Sequence, residues 1–198
     1  MTKVGRARIV FSFGFFFSVS VLLLFDTDGY AAASFFASIL HEFGHIACLL
    51  LFSKTSFTLR FVAFGIRLSD LKTVFSPKEE LLFLVSGSML NFAASAVCFA
   101  LATVLTSPQF TFFAMVNMFT GAINLLPIGF LDGSRIVGAC LNRFFSPRTA
   151  AVIANVISVV FLLPIAVFSF IIVLQTKYNY SLLLLCMVLA ASLFAERK

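Results

Sequence analysis

Charge is what this sequence has least of. Among its 198 residues only 11% are Asp, Glu, Lys or Arg, histidine occurs twice, and tryptophan is absent. A water-soluble domain keeps roughly a quarter of its residues charged, so a soluble globular fold is excluded. What fills the space is apolar: 61% hydrophobic residues, 28 Phe and a mean hydropathy of +1.09. That is the composition of an integral membrane protein. Cysteine is also sparse. Cys48, Cys98, Cys140 and Cys186 stand singly in apolar segments with no C-x-x-C pair, which excludes a disulfide framework and reads as small buried hydrophobes. No internal repeat, low-complexity tract or appended soluble domain is visible, so residues 1–198 are expected to form one membrane-embedded domain.

Six nearly uncharged stretches stand out: Ile9 to Phe25, Ala31 to Phe52, Leu81 to Thr106, Phe110 to Ile128, Thr149 to Leu174 and Tyr180 to Phe194. A helix needs about 17 to 25 apolar residues to cross a bilayer, so the expectation is an all-α polytopic protein with six transmembrane helices. Lys and Arg favour the cytoplasmic side of short loops. Lys3, Arg6 and Arg8 precede the first stretch, and Asp26 and Asp28 follow it. Lys54, Arg60, Arg67, Lys72 and Lys78 follow the second, Arg135, Arg143 and Arg148 the fourth, and Arg197 and Lys198 close the chain. Both termini are therefore expected in the cytoplasm. The net charge of +6 is accounted for by topology and anionic lipid without nucleic acid. A cleaved signal peptide is the competing reading of the N-terminus, but cleavage at "AAAS", residues 31–34, would cut into the second stretch.

The longest polar connection, Ser53 to Glu80, contains "FTLRFVAFGIRL", residues 57–68. Its aromatic and β-branched residues alternate partially around Gly65, the pattern of a short hairpin at the membrane face or of an ordered interfacial loop.

The most informative residues are "HEFGH", residues 41–45, inside the second apolar stretch. Positions four apart share a helix face, so His41 and His45 can hold one metal ion with Glu42 beside them. An ionisable group at the middle of a membrane helix costs about 2.5 to 3.5 kcal/mol on insertion scales, which argues against three such side chains as incidental packing. Zinc takes imidazole nitrogens readily, and catalytic zinc keeps three protein ligands and lowers the pKa of its water to about 7. Glu42 would accept a proton from that water and return it to a leaving amine.

Both histidines are then used, and the third ligand must be sought among carboxylates and cysteines. Asp132 ends "NLLPIGFLDGSRI", residues 124–136, where Pro127, Gly129 and Gly133 interrupt an apolar helix. Broken helix at membrane depth is tolerated where it lines an enclosed or watery cavity, so its carboxylate can face inward. Two other readings stand beside this one: Asp132 as N-cap of the helix that follows, and Cys48, one turn beyond His45, as ligand. Serine-type chemistry built on G-x-S-G is excluded because Leu84 stands where the first glycine would be, and aspartyl chemistry lacks a second membrane aspartate.

The pair "HEFGH" and "NLLPIGFLDG" resembles the site-2 proteases, intramembrane zinc metalloproteases that cut the membrane segments of other proteins. The resemblance implies a three-helix catalytic core over about residues 31–136, one Zn2+ per chain held by His41, His45 and Asp132, and Glu42 as base. It also implies a membrane-associated β-hairpin between the first two core helices. "SGSMLN", residues 86–91, is similar to the family's G-P-x-x-N segment with Ser88 where proline is usual; by that likeness Asn91 contacts substrate, while helix packing is the other reading. Asn124 occupies the corresponding place in the N-x-x-P-x-x-x-L-D-G pattern. With no inserted PDZ-type segment, the chain is similar to the compact group exemplified by the sporulation protease that releases a sigma factor from a membrane-tethered precursor. The implied partners are a membrane-tethered protein substrate of the pro-sigma or anti-sigma kind, a regulatory membrane protein and the lipid bilayer, in a bacterial cell membrane with the active site open to the cytoplasm. The alternative from another class is a zinc-binding membrane scaffold or metal transporter without peptidase activity.

Overall fold

The computed structural model describes residues 2–4, 7–26, 28–52, 57–62, 65–69 and 75–195. Asp70, Glu196 and the basic residues Arg6, Lys54, Lys72, Arg197 and Lys198 lie outside them. The chain is mostly helical, in the order β1 (Thr2–Val4), β2 (Ala7–Phe11), α1 (Phe13–Phe25), α2 (Tyr30–Phe52), β3 (Phe57–Val62), β4 (Gly65–Ser69), α3 (Pro77–Leu105), α4 (Pro108–Asn124), α5 (Asp132–Leu141), α6 (Pro147–Thr176) and α7 (Ser181–Ala195). It folds as two compact units, Met1–Ala122 and Ile123–Lys198.

Three described helices are long and apolar enough to cross a membrane: α2, α3 and α6. The other apolar stretches form helices of 13 (α1), 17 (α4) and 15 (α7) residues, at or below the length of a straight span. The first stretch departs most from expectation. "ARIVF" is a strand and not the beginning of a helix, because its β-branched and aromatic residues pair in parallel with Phe57–Val62. The all-α expectation is corrected accordingly: a four-stranded sheet ordered β1-β2-β3-β4 precedes and follows the first two helices in sequence, with β3 and β4 antiparallel. The N–H of Ser12 donates to the Phe61 carbonyl at 2.9 Å, and Phe11 stacks on Phe61 with ring centroids 4.5 Å apart, so the sheet anchors the start of α1.

In the first unit, side chains define where the helices begin. Both carboxylate oxygens of Asp26 accept from the first turn of α2, at Ala31 N (3.1 Å) and Ala32 N (2.7 Å), satisfying orphan donors with an anion where the helix dipole favours one. Ser76 and Glu79 form a reciprocal capping box at the start of α3. The helices α2 and α3 then cross where neither has a side chain. A Cβ on Gly44 would overlap the Ser86 carbonyl and lie 2.7 Å from the Gly87 Cα, so glycine is what allows two backbones to meet there.

The second unit is built around Ile128, Leu131 and Leu189, with Leu162, Ile165 and Leu185 against them. Its irregular segment, residues 125–131, is pinned by α6: the Ser158 hydroxyl donates to the Pro127 carbonyl at 2.7 Å. Gly129 has φ +52°, and a Cβ there would collide with the Ser192 hydroxyl, so this turn admits glycine alone.

Candidate metal centre

His41 and His45 lie on the buried face of α2, 5% and 6% exposed. Their Nε2 atoms stand 3.2 Å apart. Each ring's other nitrogen is held by an oxygen of α3. His45 Nδ1 lies 2.7 Å from the Phe83 carbonyl, which can only accept, so Nδ1 carries the hydrogen and Nε2 the lone pair. His41 Nδ1 lies 3.1 Å from Asn91 Oδ1. With both Nδ1 atoms facing oxygens, the two Nε2 lone pairs can share one cation, a proton or a metal ion. Nitrogens bound at about 2.0 to 2.1 Å to one tetrahedral ion sit about 3.3 Å apart. The spacing fits zinc, and the Nδ1 contacts are the outer partners that fix the tautomer of a ligating histidine.

Gly87 keeps the space beside the two nitrogens clear. A Cβ on this residue would lie 2.6 Å from His45 Nε2 and 2.8 Å from His41 Nε2. The glycine of "SGSMLN" therefore keeps clear the space toward which both nitrogens point, a role invisible in the sequence pattern. Next to it, α3 runs unbroken through Ser88 where the family's proline is usual. The Ser88 hydroxyl is buried without a hydrogen-bond partner among the described residues, and nothing in the structure explains it.

Asn91, expected at the substrate, is fully buried and engaged on every side: its amide nitrogen donates to the Ala37 carbonyl (2.9 Å) and to Asn117 Oδ1 (3.0 Å), and its oxygen faces His41. Asn117, which the sequence reading did not single out, belongs to this buried polar group. Cys48 is buried on α2, within hydrogen-bond reach of Ser86. Glu42 is half-buried one position after His41.

In the second unit Asp132 is the first residue of α5, 9% exposed. The N-cap position falls on Leu131, so Asp132 stands one residue inside the helix rather than at the N-cap itself. Its carboxylate sits in the first helical turn, where the dipole favours a negative charge. Gly133 beside it packs against the carbonyls of Leu125 and Leu126, closer than any side chain would allow. Asn124 ends α4, half-buried. Like His41 and His45 in the first unit, Asp132 is a buried side chain able to offer a ligand atom to a metal ion.

Residues 102–165, about a third of the chain and including Asn124 and Asp132, match the family model "Peptidase family M50". No curated protein matches the chain. Among solved structures it is similar to the site-2 protease from Methanocaldococcus jannaschii, with a TM-score of 0.67 and 18% identity, over 100% of this chain and 94% of that one. This likeness is one of fold. Residues 102–165 thus match the model of Peptidase family M50, and the chain as a whole has the fold of a site-2 protease.

Proposed function

We propose that this protein is an intramembrane zinc endopeptidase that hydrolyses a peptide bond in or near the transmembrane segment of a membrane-tethered protein. The observation that carries the reading is the convergence of two imidazole nitrogens, 3.2 Å apart, with both rings braced from behind by α3 and clearance provided by Gly87. His41 and His45 would hold the ion with Asp132 as third ligand, one ion per chain. The ion would supply Lewis acidity and a hydrolytic nucleophile at neutral pH. Glu42 is the proton carrier: half-buried beside His41, it takes a proton from water and delivers it to the departing amine.

Magnitudes favour function over packing as the reason for these polar groups. A hydrogen bond between membrane helices contributes only about 0.6 kcal/mol on average. A buried seam of two histidines, Asn91 and Asn117 stabilises the fold little, so its worth lies in what it holds.

Helical substrates hide their carbonyls in backbone hydrogen bonds and must unwind before cleavage. Within the segment read as a hairpin, β4 is the edge strand of the sheet, to which an extended substrate adds by β-augmentation. Proline substitutions along β4 should lower cleavage with zinc retained, and unchanged cleavage would count against that docking mode. The positive loops support cytoplasmic termini and a site open to the cytoplasm. Resemblance to the compact sporulation group supports a pro-sigma or anti-sigma factor as substrate, with a membrane protein as regulator, in a bacterial cell membrane; Asn124 is assigned to shaping the substrate side of the site.

The experiment is Glu42→Gln with tagged single-span proteins encoded nearby. Zinc retained with cleavage down about 10²- to 10⁴-fold is the expected result. Equal behaviour of variant and wild type would leave a scaffold or transporter.

A further inference from the structure

The buried amides behind His41 form a directed relay, and we propose that Asn117, on α4, is a positioning residue that sets the tautomer of His41 through Asn91. The inference rests on reading His41 as a metal ligand. Its direction follows from backbone carbonyls, which can only accept. The Phe113 carbonyl takes a hydrogen from Asn117 Nδ2 at 2.9 Å, which turns the Asn117 oxygen toward α3. That oxygen accepts from Asn91 Nδ2 at 3.0 Å, and the second hydrogen of the same nitrogen goes to the Ala37 carbonyl at 2.9 Å. With its nitrogen committed twice, Asn91 can present only its oxygen to His41 Nδ1, 3.1 Å away. Nδ1 must then carry the hydrogen, and Nε2 offers its lone pair toward His45 Nε2.

His45 needs no such device, since a carbonyl, that of Phe83, faces its Nδ1 directly. His41 is oriented instead by a side chain that could turn over, and an amide flipped by 180° would favour the opposite tautomer with Nε2–H pointing at the site. The Ala37 carbonyl and Asn117 together remove that freedom, and Asn117 is the one of the two that a substitution can take away. Asn91 and Asn117 are both fully buried, with no solvent to compete for their hydrogen bonds.

The chain has two histidines, so the ring nitrogens of ¹⁵N-histidine-labelled, metal-free protein in detergent report both tautomers directly. His45→Gln assigns the signals. Wild type should show His41 with hydrogen on Nδ1. Asn117→Leu, which cannot accept from Asn91, should shift His41 toward the Nε2–H tautomer with His45 unmoved, and weaken Zn2+ binding about 10- to 100-fold. Asn117→Asp, whose neutral carboxyl can donate to Phe113 and accept from Asn91, should restore the wild-type tautomer and affinity. Should Asn117→Leu not accumulate, Asn117→Ala is read in the same way. An unchanged His41 tautomer in the Leu or Ala variant would overturn the proposal, whatever happens to zinc affinity, as would a shift persisting in Asn117→Asp. Wild-type protein that binds no zinc would refute the metal reading of His41 while leaving the tautomer result standing.

Discussion

The helices α2 and α6 are both long enough to cross a bilayer, yet they are opposite in character. In α2 the mean hydropathy of the apolar window is 1.7 and 39% of it is buried within the protein; in α6 the values are 3.0 and 11%. The helix that carries His41, Glu42 and His45 is the less apolar and the more enclosed, while α6 turns Val156, Val160, Phe161, Leu163, Val167, Phe168 and Phe170 outward. Lipid is as apolar as these side chains and drives no association between them. Chemistry in a membrane therefore belongs to the helix that hides its polar groups against neighbours, and close approach by small residues is how α2 and α3 do so.

That contrast can be broken at Gly44. Gly44→Val would force α2 and α3 apart at their closest point; zinc binding and proteolysis should fall below detection, and overpacking of this kind costs about 1 to 3 kcal/mol. Retained metal binding in the variant would show that the crossing does not build the site. Gly87→Ala sharpens the point, since its methyl group would enter the space between the Nε2 atoms. Zinc affinity should drop at least 100-fold, with the thermal midpoint in detergent lowered as well by overpacking of about 1 to 3 kcal/mol. Ser158→Ala, which removes the bond from α6 to the Pro127 carbonyl, should cost about 1 kcal/mol of stability, read as a lowered unfolding midpoint, with zinc affinity reduced only if the turn before Asp132 loosens. At the lipid-facing end of the series, Val160→Leu should stay within about 0.5 kcal/mol of wild type, and a larger shift would mean that this face of α6 packs against protein.

How much of this could be read from the sequence depended on whether the signal was local. His41 and His45 were legible because a four-residue spacing is a property of one helix, and Asp132 because Pro127, Gly129 and Gly133 mark a broken segment around it. The strand Ala7–Phe11 was not, since "ARIVF" continues directly into apolar residues and its pairing partner lies some 50 residues away at Phe57–Val62. Asn91 carried a motif, but its engagement with His41, Ala37 and Asn117 depends on how three helices meet. Asn117 and Gly87 depend wholly on that meeting: one is an amide in an ordinary apolar helix, the other a glycine whose meaning is the ring it leaves room for.

X-ray absorption at the zinc edge of the purified wild-type protein tests the metal centre most directly. The account predicts one zinc per chain with two imidazole nitrogens at about 2.0 to 2.1 Å and oxygen in the remaining positions. Protein isolated without stoichiometric zinc and unable to take it up, or zinc bound without imidazole scattering, would contradict it.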